Sequence, residues 1–378
     1  MERPATIDEL AAAVRAHSAA GRAVRPRGGG TKLGWGGRQR SDGTESVDVD
    51  TRGLARIIEH NEGDLTAVVE AGMPLIAAQA AFARAGQMLA IDPPLGEHDA
   101  ATIGGVVATN DTGPMRHRYG GMRDLVLGIS VVLSDGTVAK SGGKVIKNVA
   151  GYDLAKLFTG SFGTLGVVAR VALRLHPALP ATATVVGESD DPDRITAAAA
   201  MLARLPLEAD CLDVAWADGA GRMLVRFAGA AAGERGRAIV SRLGSLLEGV
   251  TIVTDDAGLW ARQRASQRMH PGSEGVVVKV ASRLMDLPVV LRAADAVGAS
   301  VTSRAALGLS WIVLPGPAHV DPLRRSLAPR ACTVLDGGDR IAAPWPVIEP
   351  GALAVMQRIK ARFDPRRTFR PGAFVGGI

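Results

Sequence analysis

Apolar and polar positions along this chain are organised in short units. From Thr6 to Ala20, Ile7, Leu10, Val14 and interspersed alanines recur at helical spacing. Thr6 followed by Glu9 forms a capping box, so an amphipathic helix is predicted there. Ala23 to Pro26 reads as a short strand entering a glycine-rich turn, and Ser46 to Asp50 alternates as a strand. Leu54 to His60 reads as a short helix, Thr66 to Ala71 as a strand, and Pro74 to Ala85 as a helix with proline in its first turn. Ile103 to Asn110 is small and apolar. Val126 to Leu133 and Thr137 to Lys140 read as strands joined by the turn Ser134-Asp135-Gly136. Val167 to Leu175 is a further strand, ended by His176-Pro177.

The rhythm is α+β, and it changes near residue 180. Alanine-rich and strand segments follow with fewer glycine clusters, and Pro180 to Pro192 reads as a linker. Motif-like sequence returns from Asp336, with Pro344-Trp345-Pro346 and a last helix over Gly351 to Phe363. The expected division is a first domain over 1–180, a smaller α+β domain over 181–335, and a C-terminal segment over 336–378 that rejoins the first. A length of 378 residues, 47% of them hydrophobic, suits two lobes.

Lys plus Arg number 44 against 38 Asp plus Glu, a net charge of +6 that is small for this length. No basic run is interleaved with aromatics, so a nucleic-acid partner is not expected. Cys211 and Cys332 stand far apart with no Cys-x-x-Cys, so this chain alone builds neither a zinc site nor a cysteine-ligated iron–sulfur cluster. A disulfide between them is possible but unforced, and isolated cysteines fit a reducing cytoplasm. The N-terminus carries Glu2, Asp8 and Glu9 where a signal peptide would be basic and then apolar. No apolar run reaches spanning length, so membrane contact is expected to be at most peripheral or through a partner.

The chemistry concentrates in three glycine-rich stretches. The first is Arg25-Pro26-Arg27-Gly28-Gly29-Gly30-Thr31, followed by Gly34. Three successive glycines cost backbone entropy, and a turn of small residues bares N–H groups in a concave cradle suited to a pyrophosphate. Thr31 can add a hydroxyl donor. A flexible surface loop is the plainer reading of the same residues. No Gly-x-Gly-x-x-Gly occurs, and Gly143-Lys144 is followed by Val145 rather than Ser or Thr, so the Rossmann and Walker fingerprints are both absent. The second stretch runs from Asp92-Pro93-Pro94 through Thr102-Ile103-Gly104-Gly105 to Asn110, Gly113 and Arg118-Tyr119-Gly120. The third runs from Lys147 to Leu154 and then through Gly160-Ser161-Phe162-Gly163-Thr164-Leu165-Gly166.

The order and spacing of these stretches resemble the flavin-binding domain of the vanillyl-alcohol-oxidase superfamily, the PCMH type. The likeness implies a two-lobed FAD-binding fold with a smaller α+β cap domain. It places Pro26, Arg27, Gly28, Gly29, Gly30, Thr31 and Gly34 at the pyrophosphate. It places Pro93, Thr102, Ile103, Gly104, Gly105, Asn110, Gly113 and Gly120 along a second FAD-contacting stretch. Gly163, Gly166, Val167 and Val168 would lie along the strand that passes the flavin. Main-chain amides of 28–31 and 102–105 would grip the diphosphate. Members with covalent flavin carry a histidine in the pyrophosphate loop; Gly28 to Thr31 has neither histidine nor cysteine, which implies non-covalent FAD. Phe363-Asp364-Pro365 with Pro371-Gly372 resembles the closing helix and turn, although that turn usually reads Asn-Pro-Gly and here Arg370 precedes Pro371.

Within the superfamily, Lys147 to Leu154 resembles the FAD-binding subunits of bacterial glycolate oxidases, which work beside a catalytic flavoprotein subunit and an iron–sulfur subunit. That implies oxidation of glycolate or a related 2-hydroxy acid by hydride transfer to flavin, in the cytoplasm or at the inner face of the plasma membrane through partners. A stand-alone 2-hydroxyacid or sugar-alcohol oxidoreductase and a non-catalytic electron-relay subunit are the alternatives. Such chemistry needs a base and a cation for the substrate carboxylate. Arg116, His117, Arg118 and Lys147 are the candidates, with solvated surface cations as the plainer reading of both arginines. A histidine between two arginines would have its charged form disfavoured. The seven histidines form no His-x-His or His-x-x-x-His pair, so no divalent metal is expected.

Overall fold

The computed structural model describes residues 1–37, 44–144, 153–179, 181–269 and 273–378. The chain forms two compact units. One comprises Met1–Thr112, Gly120–Ala178 and Val347–Ile378; the other comprises Gly113–Tyr119 and Leu179–Pro346.

In the first unit the opening helix spans Ile7–Ala19 and buries Leu10, Ala11 and Val14. Thr6 Oγ1 accepts from Glu9 N at 3.1 Å, while the Glu9 carboxylate accepts from Ala5 N at 2.8 Å. The reciprocal contact therefore reaches one residue before the cap. Strands β1 (Ala23–Arg27) and β2 (Ser46–Asp50) pair in parallel. The strands β3 (Ile57–Asn61), β4 (Thr66–Glu70), β6 (Val126–Val132), β7 (Val138–Gly142) and β8 (Val167–Arg174) form an antiparallel sheet in the order β3-β4-β8-β6-β7. Between them in sequence, β5 (Gln87–Met88) pairs with β9 (His176–Pro177).

The expected helix over Leu54 to His60 is β3 instead. Ile57-Ile58 are β-branched and find a partner strand in β4, and Glu70 clamps the entry by accepting from Arg56 N at 2.9 Å and Arg56 Nη2 at 2.8 Å. Ile103–Thr109, read only as small and apolar, is a helix capped by Thr102. Pro74 is the cap residue before the helix Leu75–Ala83, not part of its first turn.

The C-terminal helix Pro350–Phe363 is tied into this unit by one buried lysine. Lys360 Nζ donates to Thr164 O at 2.7 Å, to Asp364 at 2.7 Å and to Phe369 O at 2.9 Å. Burial pulls the Lys360 pKa down, opposed by Asp364. Asp364 also accepts from Thr368 N and Phe369 N, which shapes the turn before Arg370.

The second unit is built on an eight-stranded antiparallel sheet. Its strands are β10 (Thr182–Ser189), β11 (Cys211–Ala217), β12 (Ala220–Ala228), β13 (Glu248–Val253), β14 (Val276–Ala281), β15 (Ser300–Arg304), β16 (Leu309–Leu314) and β17 (Ala331–Val334). Their order is β13-β10-β12-β11-β15-β16-β14-β17. One apolar core gathers Val185, Val214, Phe227, Val278 and Ile312 with the helical residues Ile195, Leu202 and Leu291.

The stretch read as a linker, Pro180 to Pro192, holds β10, which lies between β12 and β13. Ala183 and Val185 point into the core, and Thr184 Oγ1 donates to Asp256 at 2.6 Å. Residues 336–346 stay with this unit: Val277 N donates to Asp336 O and Val334 N to Pro344 O. Cys211 and Cys332 are both buried free thiols, and burial raises the pKa of Cys332.

Candidate functional site

The glycine-rich turn follows β1 because parallel pairing with β2 fixes its start. Arg25 faces Asp48 in register and donates to it at 2.6 and 3.0 Å; Arg27 Nη1 reaches the same carboxylate at 3.3 Å. The Arg25 hydrogen bonds hold Asp48 below the usual carboxylate range, against the burial that would raise it. Beyond Arg27 the chain opens into a narrow cleft of about 80 Å³. Its walls are residues 26–33, Thr51, Thr102, Gly104, Gly105, Ala108, Thr109, Phe162, Gly163, residues 166–168 and Arg370.

The glycines serve this cleft in a way the sequence does not reveal. A Cβ on Gly28 would sit 2.2 Å from Thr102 Oγ1, and one on Gly29 would sit 1.6 Å from Ala100 O. Gly30 adopts φ +78°. The absent side chains let the turn lie against the segment 100–102. The amides of Gly29 and Gly30 then donate to no acceptor among the described residues. By contrast, Ile103 N donates to Met73 O, Gly104 N to Ala71 O and Gly105 N to Thr102 Oγ1. The amides expected from 103–105 are therefore already occupied, and that stretch contributes wall rather than donors. The Ile103 side chain is core.

Of the other residues assigned to the cofactor, Gly163, Gly166, Val167 and Val168 line the cleft. Gly34, Pro93, Asn110, Gly113 and Gly120 do not. Asn110 caps the 103–109 helix at φ 49°. Gly120 takes φ +78° against the Asp124 carboxylate.

Arg370 was visible only as a departure from a familiar turn, and it is the most informative wall residue. It is 7% exposed and sits at φ 39°, and the neighbouring Phe162 sits at φ 56°. Two non-glycine residues thus hold left-handed geometry at one corner of the cleft, where backbone strain is stored. Its Nη1 donates to Phe162 O at 2.9 Å, and its Nη2 to Leu33 O and Trp35 O at 3.3 and 3.4 Å. Its Nε is buried without a partner. Burial, with repulsion from Arg25, lowers its pKa to about 10. Unpaired amides and a buried cation with one spare donor fit an anionic diphosphate. Lys32, also in the wall, forms a buried ion pair with Asp111 at 3.3 Å.

The catalytic candidates fare differently. Arg116, His117 and Arg118 lie on a short helix of the second unit, Arg116–Tyr119. Arg118 Nη1 donates to Glu208 O at 2.8 Å and lies 3.4 Å from the Asp210 carboxylate, so it belongs to a structural ion-pair network. Even so, burial raises the Asp210 pKa. Burial lowers the pKa of His117, whose Nδ1 has no partner; the cause is desolvation, not the flanking arginines. Lys147 lies outside the described residues. Among the described residues no three His, Cys, Asp or Glu side chains gather as metal ligands, and no helix is long and apolar enough to cross a membrane.

Residues 2–142 match the family model described as FAD binding domain. The chain is 41% identical over 130 residues to glycolate oxidase subunit GlcE of Escherichia coli, covering 34% of this chain and 37% of that protein. It is 38% identical over 154 residues to glycolate oxidase subunit GlcD of Bacillus subtilis, covering 41% of this chain and 32% of that protein. These matches span less than half the length of either relative. A solved structure of alkyldihydroxyacetonephosphate synthase superposes with TM-score 0.75 at 14% identity, covering 98% of this chain and 76% of the other, which shows a shared fold. Residues 2–142 therefore match an FAD binding domain within a two-unit α+β fold, and the match supports FAD as the cofactor.

Proposed function

We propose that this chain is the FAD-binding subunit of a glycolate-oxidising assembly, acting on glycolate or a related 2-hydroxy acid with a dissociable cofactor. The observation that carries the reading is the cleft built on Gly28 to Gly30 and Arg370, whose walls contain no histidine or cysteine to bond a flavin covalently. When bound, FAD supplies a two-electron acceptor: the substrate's α-carbon hydrogen leaves with its electron pair, the hydroxyl proton goes to a base, and a 2-oxo acid results.

The residues of the chain divide that work. Gly29 and Gly30 amides and Arg370 Nε would hold the diphosphate. His117, half-buried and with its neutral form favoured by desolvation, is the candidate proton acceptor. Arg118 is committed to Glu208 and Asp210, which moves the carboxylate anchor elsewhere. A reduced flavin must pass its electrons on, and two lone cysteines build no cluster, so a companion flavoprotein subunit and an iron–sulfur subunit are the proposed partners. A cytoplasmic site, with membrane contact through those partners, follows from the same reading.

The test is anaerobic mixing of the FAD-loaded chain with glycolate and D-lactate, alone and with co-expressed partner subunits, while flavin absorbance is followed. Bleaching is expected with glycolate in the assembly. Bleaching in the assembly alone assigns an assembly-dependent reaction. An oxidised flavin under both conditions would overturn the oxidation of 2-hydroxy acids. Acid precipitation should leave yellow flavin in the supernatant; flavin retained in the pellet would overturn non-covalent binding.

A further inference from the structure

The second unit contains a buried cation with unmade hydrogen bonds. Arg304, the last residue of β15, is 0% exposed. Its Nε donates to Gly113 O at 3.2 Å, and its guanidinium lies over the Trp311 ring, 4.1 Å from the centroid. Its Nη1 and Nη2 are both buried and have no hydrogen-bond partner. Among the described residues no carboxylate lies within ion-pairing distance of it. An enclosed guanidinium with unmade hydrogen bonds is strongly disfavoured unless something else completes it.

A second orphan belongs to the same part of the unit. Gln267 is 1% exposed, and neither its amide oxygen nor its amide nitrogen has a partner. The preceding residue, Ser266, bonds Thr302 through their hydroxyls at 2.8 Å. Thr302 lies two residues before Arg304 and thus on the same sheet face; it also pairs across to Trp311. The residue next to Gln267 is thus bonded to the sheet face that carries Arg304.

We propose that Arg304 anchors the carboxylate of a small 2-hydroxy acid through its two Nη groups, and that Gln267 meets the ligand's remaining polar group. The proposal rests on the reading of this chain as acting on 2-hydroxy acids. The Gly113 carbonyl and the Trp311 ring fix the plane of the guanidinium. That leaves its far edge, the geometry that binds a carboxylate with two parallel hydrogen bonds. A neutral isostere of the acid offers no charge to this edge and is rejected.

The experiment uses the purified FAD-loaded chain, with glycolate and the neutral glycolamide as probes in calorimetric titrations. Glycolate binds and glycolamide does not. Arg304→Met raises the glycolate Kd about tenfold or more, Arg304→Lys lies between, and Gln267→Leu gives about a threefold loss. FAD content is unchanged in all three. The melting temperature of unliganded Arg304→Met stays level or rises, because an unpaired buried charge has been removed. Glycolate binding to Arg304→Met as tight as to the parent chain overturns the anchor. So does a parent chain that carries FAD yet binds no glycolate. A lowered melting temperature with unchanged glycolate affinity assigns Arg304 to structure alone and also overturns it. Glycolate bound through Arg304 but never oxidised in the assembly would discard the oxidation reading and keep the anchor.

Discussion

The cleft of the first unit and the polar face of the second recognise charge by opposite means. The cleft uses backbone: missing Cβ atoms at Gly28 and Gly29 let the turn press against Ala100 and Thr102, which leaves amides free. The second unit uses long side chains from separate elements, Arg304 from β15 and Gln267 from the segment after the helix Ala257–Ala265. A backbone cradle requires a contiguous run of small residues and therefore writes itself into sequence. A side-chain cluster requires only that distant strands meet, and leaves no local pattern.

The largest expected effect breaks the cradle. Gly29→Ala drives a Cβ into the Ala100 carbonyl, so it should cost on the order of 3 kcal/mol and abolish FAD retention. Gly34→Ala, with nothing within 4 Å of its Cβ, should stay within about 0.5 kcal/mol of the parent. Denaturant unfolding and FAD content of the two variants check the contrast; equal behaviour would mean that packing does not shape the turn.

Acid should separate the units next. Burial alone would raise the Asp50 pKa, but donors from Arg52 and Arg3 override it and bring it from 3.8 to about 2. The folded value is depressed, so this stabilisation is complete above 3.8 and is lost as pH falls through 2. It amounts to roughly 2 kcal/mol at most, since the half-exposed arginines are screened. His117 in the second unit is depressed by burial, so its unfolded form takes up a proton first and stability declines as pH falls below 6.5. Hydrogen exchange against pH should show the second unit loosening in the earlier range and the first only in strong acid. The reverse order would contradict both assignments.

The smallest expected effect sharpens the role of Arg370. Arg370→Met should weaken FAD about tenfold, or about 1.4 kcal/mol, and Arg370→Lys less, as read by fluorescence titration of the apoprotein. Unchanged FAD affinity in both would reduce Arg370 to a brace for the carbonyls of Phe162, Leu33 and Trp35.

Much of the first unit was legible because its signals are local. The capping residue Thr6, the alternation over Ser46 to Asp50 and the glycine run at 28–30 each act within a few residues. Leu54 to His60 misled because a short apolar stretch fits either period, and pairing with β4 decided it. The segment 180–192 misled because prolines at its ends suggested a linker, whereas β12 and β13 recruit its middle as a strand. At the site, Arg370 showed only as a departure from a familiar turn and Lys32 not at all, because a buried cation is ordinary in sequence until its partners are known.

The sequence by itself determined that there would be a glycine turn after β1, an α+β rhythm, no cysteine-held cluster within the chain, and a flavin-type cofactor implied by motif order. The tertiary structure decided which amides remain free and which are already occupied, and that Arg118 is paired. It also decided that Arg304 and Arg370 are buried with unmade hydrogen bonds. Backbone conformation is governed by neighbours a few residues away, whereas the pairing of a buried polar atom depends on residues up to some two hundred positions distant, as between Arg304 and Gly113 or Arg370 and Phe162.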